Sequence, residues 1–311
     1  MSLVVVSEYL QDQFLDRLRS HFDVLYDPDM FADRPRLLDE VGQARAIVVR
    51  NRTRIDEELL GRAAFLEVVG RLGVGLDNID MEAAAAAGVT VYPAYGANAV
   101  SVAEYVMGAM LFLRRGVFTM TASMTEGLWP RQGHAFGREL DGETLGLIGF
   151  GSIAREVVRR ASSFGMSATA HDPYVPADDP TWGAGVVKAG LEEVLAGSDV
   201  VSVHVPLMES TRHLIDEAAI SLMREDSILI NTSRGGVVDE DALAEALREG
   251  RIGGAALDVF ESEPLGEDAA SRFRGLDNVL LTPHIAGNTI ESVDRVASIT
   301  VDSVLGALAE T

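Results

Sequence analysis

Short apolar runs alternate along the chain with stretches of helical periodicity, and this pattern predicts β-strands separated by helices. The clearest run covers residues 145–150, and a glycine-rich turn follows it at once. Apolar residues then recur at helical spacing over 153–161 until Gly165, a residue type that commonly ends a helix. The next strand is predicted at 166–171, and Asp172 lies at its end. The stretch therefore predicts a strand–turn–helix–strand unit.

The same alternation covers most of the remaining chain. Before residue 98, strands are predicted at 3–7, 22–26, 46–50, 67–71 and 89–92, and helices at 9–19, 36–41 and 81–87. After the glycine turn, strands are predicted at 200–204, 227–230, 254–259 and 279–281, and helices at 216–223 and 239–249. This rhythm predicts an α/β fold with parallel sheets covered by helices on both faces. Two βαβαβ halves fit between residues 144 and 282, enough for a whole dinucleotide-binding domain.

Two further helices have no strand partner in this scheme. A long, mostly apolar helix is predicted at 98–115, and an irregular segment with Trp129 follows at 116–138. This region has two interpretations, a subunit interface or simple packing in the core.

The last helix is predicted to begin at Asn288, with Glu291 completing a pair similar to a capping box. Its apolar stripe predicts burial against the N-terminal part of the chain.

The glycine turn has the residue types that a dinucleotide requires. Gly149 permits the tight turn, Gly151 lets the backbone approach a pyrophosphate, and Ala154 is small enough for close packing of helix on strand. The helix N-terminus, with Ser152 and Ile153, presents free N–H groups to the phosphates.

Asp172 lies at the distance along the chain expected for the carboxylate that binds the adenosine ribose. Pro173 and Tyr174 follow it, whereas a 2′-phosphate would require a cation there. The prediction is NAD rather than NADP.

Composition narrows the function classes. The net charge is −22, which argues against nucleic acids and anionic membranes as partners. The sequence contains no cysteine, so we expect neither disulfides nor thiolate ligands, and we predict no bound metal and a reducing, cytoplasmic location. No apolar run approaches 18 residues, and the N-terminus does not have the pattern of a signal peptide.

Three candidate catalytic residues follow predicted strands in the second half of the chain. Arg234 suits a 2-oxo-carboxylate because its guanidinium forms bidentate hydrogen bonds. His284 suits proton transfer, and Glu263 is a carboxylate that would orient its imidazole. Taken singly, each residue also has an ordinary structural interpretation as a packed histidine, a loop-binding arginine or a solvated glutamate. Spacing along the sequence leaves open whether the three meet.

The sequence resembles the D-isomer-specific 2-hydroxyacid dehydrogenases, a family that includes D-3-phosphoglycerate dehydrogenase and hydroxypyruvate reductase. The matching motifs occur in order across nearly the whole chain. They are GRLGVGLDNID (70–80), NAVSVAEY (98–105), LGLIGFGSIA (145–154), HVPL (204–207), INTSRGGVVDE (230–240), GAALDVFESEP (254–264) and LTPHIAG (281–287).

The resemblance implies an enzyme that transfers hydride between NAD and a 2-hydroxy acid. It implies Arg234 as the substrate-binding cation, His284 as acid and base, and Glu263 as the partner of His284. Further cofactor contacts are expected from His204, Pro206, Thr211, Thr232 and Asp258, the last near the nicotinamide carboxamide. The implied domains are a flavodoxin-like substrate domain, 1–97 plus 288–311, and an NAD-binding Rossmann domain, 98–287, with the active site in the cleft between them.

The substrate is less defined than the family. Arg50 and Arg52 follow a predicted strand, and residues two apart in an extended segment point the same way, so both are expected to bind a second anionic group. The alternative is that Arg52 is a solvated loop residue. Gly73, Val74 and Gly75 follow the next strand and are expected to offer N–H groups to the substrate.

The expectation is therefore a substrate of the 3-phosphoglycerate or sulfolactate type, handled by a short form without a regulatory domain. The RNRT and GRLGVGLDNID loops are similar to those of (S)-sulfolactate dehydrogenase.

Two other functions remain open. One is a hydroxypyruvate or glyoxylate reductase with a small uncharged substrate. The other, from a different class, is an NAD(H)-sensing binding protein of the corepressor type. The resemblance also favours a homodimer formed through residues 98–140.

Overall fold

The computed structural model describes residues 3–131, 137–183 and 185–309, and the chain divides into two units. The first unit comprises Met1–Asn98 and Asn288–Thr311, and the second comprises Ala99–Gly287. Residues 132–136, which belong to the segment predicted to be irregular, lie outside the described residues.

The strands, in chain order, are β1 (Leu3–Val6), β2 (Asp23–Tyr26), β3 (Ala44–Val49), β4 (Val68–Arg71), β5 (Thr90–Pro93), β6 (Thr144–Ile148), β7 (Ser167–His171), β8 (Val186–Lys188), β9 (Val200–Val203), β10 (Ile228–Asn231), β11 (Gly254–Leu257) and β12 (Val279–Leu281). The helices are α1 (Asp12–Arg19), α2 (Arg34–Val41), α3 (Glu57–Arg62), α4 (Met81–Ala86), α5 (Ala99–Arg115), α6 (Thr121–Thr125), α7 (Ser152–Ala161), α8 (Leu191–Gly197), α9 (Glu217–Leu222), α10 (Glu240–Glu249), α11 (Glu267–Ser271) and α12 (Ile290–Ala309).

The first unit contains a parallel five-stranded sheet in the order β2-β1-β3-β4-β5, which is the flavodoxin-like order. Alternate side chains of β1 lie in two different hydrophobic cores, one on each face of the sheet. Val4 and Val6 pack with α1 and α12 on one face, whereas Val5 packs with α2, α3 and α4 on the other. Because both faces are covered, the strand is apolar throughout, which is why it appears in the sequence as an unbroken apolar run.

The second unit contains a parallel seven-stranded sheet in the order β12-β11-β10-β9-β6-β7-β8. The chain enters at β6, builds β7 and β8 on one side, and then returns to build β9 to β12 on the other side. The order therefore reverses next to β6. Ligands of such sheets bind beyond the carboxyl ends of the strands at this reversal, and the glycine turn lies there. The predicted α/β class with two parallel sheets is confirmed.

The helix predicted at 98–115 is α5, and it packs inside the second unit. Val102, Val106 and Met110 are buried in the core beside β6, and α5 lies against α7. Core packing therefore accounts for most of this helix.

The predicted start of the last helix needs correction. The helix α12 begins at Ile290 instead of Asn288, because Thr289 and Ser292 form the reciprocal pair at its N-terminus. The N–H of Thr289 donates to Oγ of Ser292, and the N–H of Ser292 donates to Oγ1 of Thr289, at 3.1 Å each. The apolar stripe of α12 lies in the core of the first unit, as its pattern suggests.

Close packing of α12 depends on one glycine. A Cβ atom at Gly70 of β4 would lie 2.8 Å from Val304 and 2.9 Å from Thr300.

No helix within the described ranges has the length and apolar character needed to cross a lipid bilayer.

Candidate active site

The turn after β6 brings two backbone segments close together. Gly149 has φ +89°, and a Cβ atom there would lie 2.9 Å from the carbonyl group of His204. Both the conformation and the contact therefore require glycine. Gly151 is different, because a Cβ atom there would meet nothing within 4 Å. The space beside Gly151 is open to a ligand that approaches the backbone.

The first turn of α7 leaves its N–H groups available. Gly151 is the N-cap residue and makes no side-chain cap. Ser152 is exposed and Ile153 is half-buried at this end. The Asp172 carboxylate follows β7 and accepts hydrogen bonds from the N–H groups of Phe150 and Tyr174, both at 2.9 Å. A carboxylate can accept further bonds, so this arrangement fits a pyrophosphate at the helix and a ribose diol at Asp172.

Two buried polar atoms at neighbouring strand ends have no hydrogen-bond partner among the described residues. They are Nδ1 of His204, after β9, and Oγ1 of Thr232, after β10. Buried polar atoms are normally paired, so unpaired ones beside a ligand crevice indicate groups that a ligand completes. Both residues were expected to contact NAD, and the residues present fit that cofactor.

Two other residues expected at the cofactor differ from this pair. Pro206 is exposed on the same segment. The Thr211 hydroxyl donates to the carbonyl of Pro206 at 2.6 Å and accepts from the N–H of Met208 at 2.8 Å, so it is engaged within its own turn.

Burial of the His204 imidazole gives the protein a pH-dependent stability. Burial lowers the pKa of His204 from 6.5 to about 4, whereas the unfolded chain protonates this ring near 6.5. The neutral ring therefore contributes stability that is complete above pH 6.5 and is lost as the pH falls to about 4. We expect the unfolding free energy of the cofactor-free protein to fall by about 1.4 kcal/mol per pH unit from this group.

Denaturant unfolding at several pH values tests this expectation. The variant His204→Gln should show a shallower decline than the wild type between pH 6.5 and 4. Identical slopes in the two proteins would contradict the assignment.

His284 and Glu263 are in direct contact. The imidazole Nδ1 lies 2.7 Å from Oε2 of Glu263, and Oε1 of Glu263 accepts from the N–H of Phe260 at 3.1 Å. About half of the His284 side chain is exposed, at 51%, which leaves Nε2 able to reach a substrate. His284 also has φ +55°, a conformation that is strained for a residue with a side chain and that concentrates at functional sites.

Asp258 holds the loop that carries His284. Its carboxylate is buried and accepts hydrogen bonds from the Thr282 hydroxyl at 2.6 Å, the N–H of Ile285 at 2.9 Å and the N–H of Ala286 at 2.8 Å. The N–H of His284 donates to the Asp258 carbonyl at 2.7 Å. Asp258 therefore stabilises the strained turn at His284, and its expected contact with the nicotinamide stays a prediction.

The Arg234 loop is fixed against the segment that leads to Glu263. A Cβ atom at Gly235 would lie 1.8 Å from the Phe260 carbonyl oxygen, so the two backbones touch. Asn231 spans the loop, accepting from the N–H of Ser233 at 3.0 Å and donating to the carbonyl of Arg234 at 3.0 Å. Arg234, Glu263 and His284 thus follow the adjacent strands β10, β11 and β12. The structure joins His284 to Glu263 and places the Arg234 loop against the Glu263 loop.

In the first unit, the expected substrate loops follow β3 and β4. Arg50 is half-buried and Arg52 is exposed. Among the described residues, neither guanidinium forms an ion pair or hydrogen bond, and the Arg52 guanidinium lies 4.9 Å from the centre of the Phe31 ring. Arg52 is therefore packed on an aromatic ring, in contrast to a freely solvated side chain.

One of the three N–H groups expected from residues 73–75 is already hydrogen-bonded within the protein. The N–H of Gly73 donates to the Arg71 carbonyl at 2.8 Å, so it is engaged. The N–H groups of Val74 and Gly75 are the two that remain as candidates for a substrate.

Sequence reasoning missed the residues that support these loops, among them Glu8, Asn78 and Thr282. Asn78 and Thr282 lie within the matching motifs 70–80 and 281–287, whereas the signal for Glu8 is its position after a predicted strand. Within the described ranges, no group of three or more histidine or acidic side chains is arranged to hold a metal ion.

Comparisons with known proteins identify related sequences and a matching family. The family described as "D-isomer specific 2-hydroxyacid dehydrogenase, NAD binding domain" matches residues 107–286. The chain is 50% identical over 308 residues to the (S)-sulfolactate dehydrogenase of Chromohalobacter salexigens, covering 99% of both proteins. It is 40% identical over 276 residues to the hydroxypyruvate reductase of Thermotoga maritima, covering 89% of both.

A solved structure is also similar. The D-lactate dehydrogenase of Aquifex aeolicus, complexed with NAD and lactic acid, superposes with a TM-score of 0.84 at 30% identity. The match covers 99% of this chain and 96% of that one.

Proposed function

Since this chain belongs to the D-isomer-specific 2-hydroxyacid dehydrogenases and is an NAD-dependent enzyme that interconverts 2-hydroxy and 2-oxo acids, we propose that its substrate carries a second anionic group. The observation that carries the proposal is the pair Arg50 and Arg52. Both follow β3, and neither guanidinium forms an ion pair with a carboxylate among the described residues. A sulfonate or phosphate suits two guanidinium groups better than a methyl or hydroxymethyl group does.

The proposed substrate is of the sulfolactate or 3-phosphoglycerate type. The identity of 50% to a sulfolactate dehydrogenase over almost the whole length supports the sulfonate. The high net negative charge of the chain, −22, makes local clustering of cations necessary wherever an anion binds.

The proposed chemistry divides into binding and proton transfer. Arg234 binds the carboxylate and polarises the 2-oxo group, with help from the N–H groups of Val74 and Gly75. Bound NADH supplies the hydride in the reductive direction. His284 donates the proton to the developing hydroxyl, and Glu263 keeps its imidazole oriented at 2.7 Å.

The proposed cofactor contacts follow the second sheet. Gly149, Gly151, Ser152 and Ile153 would hold the pyrophosphate, and Asp172 would bind the adenosine ribose. His204, Pro206, Thr211, Thr232 and Asp258 line the remainder of the site. NAD is favoured over NADP because Pro173 and Tyr174 offer no cation to a 2′-phosphate.

A substrate panel tests the proposed specificity. Oxidation of NADH and of NADPH is followed with sulfopyruvate, 3-phosphohydroxypyruvate, hydroxypyruvate and glyoxylate. We expect the highest kcat/KM with NADH and one of the first two acids. A higher kcat/KM with hydroxypyruvate or glyoxylate would overturn the second anionic group and favour the alternative reductase, which the identity to a hydroxypyruvate reductase supports. NADH binding without turnover of any acid would favour the corepressor-type sensor.

Arg52→Ala tests the arginine pair directly. We expect kcat/KM to fall about tenfold more for a doubly anionic 2-oxo acid than for glyoxylate, because a hydrogen bond between charged groups is lost at a partly exposed site. The measurement is the ratio of kcat/KM between the two acids. Arg54→Ala changes the same charge two residues further on, where the side chain is also exposed, and serves as the control. Equal losses for both acids would contradict a role of Arg52 in binding the second anionic group.

We also propose a homodimer formed through residues 98–140, of which 132–136 lie outside the described residues. The support is a set of exposed apolar side chains beyond α5, comprising Val117, Phe118, Met124, Leu128 and Trp129. Sedimentation velocity tests the assembly, and a monomer at micromolar concentration would contradict it. A cytoplasmic location, and the lack of nucleic acid or membrane partners, stay predictions that rest on composition.

A further inference from the structure

Glu8 places a buried carboxylate under the loop that carries the arginine pair. It follows β1, the strand next to β3, and it is 4% exposed. Its Oε1 accepts from the N–H groups of Arg50 at 2.8 Å and Thr53 at 2.9 Å. The N–H of Arg52 donates to Oε2 at 3.1 Å and more weakly to Oε1 at 3.3 Å. One side chain therefore satisfies three N–H donors of the same loop.

The opposite side of the same loop is also held. Nδ2 of Asn78 donates to the carbonyl of Thr53 at 2.6 Å and to the carbonyl of Arg50 at 3.2 Å. The Thr53 hydroxyl lies 2.8 Å from the Ser7 hydroxyl. Donors and acceptors of the loop are thus fixed by different residues, so its backbone has little freedom.

Arg52 is fixed at both of its ends. Its N–H is bound by Glu8, and its guanidinium lies 4.9 Å from the centre of the Phe31 ring. A long side chain held in this way loses little rotamer freedom when an anion binds, and prior ordering of this kind increases affinity.

We propose that Glu8 is a positioning residue that sets the preference of the enzyme for doubly anionic substrates, acting through Arg52. The inference rests on the proposed function, in which Arg50 and Arg52 bind the second anionic group. Three converging N–H groups would by themselves form an anion-binding site. Glu8 occupies it with an internal carboxylate, which leaves the guanidinium groups as the partners of the substrate anion.

The variant Glu8→Gln separates Arg52 from its neighbours. Glutamine has one acceptor oxygen, which at the Oε1 position keeps the bonds to Arg50 and Thr53. The amide nitrogen then faces the N–H of Arg52, so the stronger of its two bonds is lost and only the weaker bond to Oε1 remains. We expect KM for the doubly anionic acid to rise about tenfold, the order of one charge-assisted hydrogen bond, with kcat within about twofold. KM for glyoxylate should change by less than about threefold.

A double-mutant cycle with Arg52→Ala distinguishes positioning from general stability. If Glu8 acts through Arg52, Glu8→Gln should have almost no further effect on KM for the doubly anionic acid in the Arg52→Ala background. The same fold-change in both backgrounds would overturn the proposal. Glu82→Gln, an exposed change of equal charge at the start of α4, is the control and should leave all constants unchanged.

Two outcomes separate this inference from the proposed function. If Arg52→Ala fails to discriminate between the two acids, the proposed function fails and the role of Glu8 fails with it. If Arg52→Ala discriminates but Glu8→Gln does not, only the role of Glu8 is overturned. Should Glu8→Gln not fold, Phe31→Leu removes the other support of Arg52 and should raise the same KM severalfold. Unchanged KM in that variant would count against the positioning of Arg52.

Discussion

Replacing His284 with alanine is expected to lower kcat by about 10²–10⁴-fold, the usual contribution of a positioned acid or base. The His284 imidazole lies beside Glu263, with Nδ1 2.7 Å from Oε2, and 51% of the His284 side chain is exposed. The affinity for NADH should stay nearly unchanged, because the residues proposed to bind the pyrophosphate and the ribose follow β6 and β7. Steady-state NADH oxidation gives kcat, and fluorescence titration gives the dissociation constant of NADH.

The control is His21→Ala, a histidine substitution at an exposed position beyond α1, which should leave kcat unchanged. Glu263→Gln should lower kcat by a smaller factor than His284→Ala, because the imidazole remains while the charge of its partner is lost. Turnover similar to the wild type in His284→Ala would remove this residue from the mechanism. A parallel loss of NADH binding would indicate damage to the unit as a whole.

The two sheets could be predicted because their strands are apolar on both faces. β1 and β6 have no alternation of polar and apolar residues, and such runs, separated by helices, are typical of parallel sheets. The turn at Gly149 could be predicted because its glycines, the helix after it and the aspartate at the end of the next strand occur at the spacing of a dinucleotide-binding unit.

Short elements without a clear period escaped prediction. The strand β8 has three residues and an exposed Val187, so it lacks an apolar run. The short helices α3 and α8, of six and seven residues, were not predicted either. The start of α12 was misplaced because the capping pair was assigned to Asn288 and Glu291, whereas the structure pairs Thr289 with Ser292.

The candidate catalytic and binding residues could be proposed from the sequence, whereas the contacts that hold their loops could not. Glu8 contacts a loop more than forty residues away, and Asp258 contacts a loop 24 to 28 residues away. Both contacts exist because neighbouring strands end at the same edge of a sheet, and strand order is needed to see this. An isolated acid after a strand gives no such indication.

Arg234→Lys is expected to lower kcat/KM for the 2-oxo acid by about 30-fold or more. Truncating or replacing one member of a buried, hydrogen-bonded charge pair costs about 2–5 kcal/mol, and each 1.4 kcal/mol is tenfold. Lysine keeps the positive charge, but its ammonium cannot present two parallel donors to a carboxylate. The loss should therefore appear in KM and in kcat, since we propose that the same group binds the carboxylate and polarises the carbonyl. Steady-state kinetics with saturating NADH measures both constants.

Arg248→Lys is the matched control, because Arg248 is exposed at the end of α10 and its guanidinium donates to the carbonyl of Arg272 at 2.8 Å. This change should leave kcat/KM within about twofold, as surface substitutions generally do. The comparison isolates guanidinium geometry from charge, since both variants keep the same net charge. If Arg234→Lys retains wild-type kcat/KM, a point charge suffices and bidentate binding is wrong. If Arg234→Lys loses NADH affinity as well, the loop between Asn231 and Gly236 supports the cofactor site instead of the substrate.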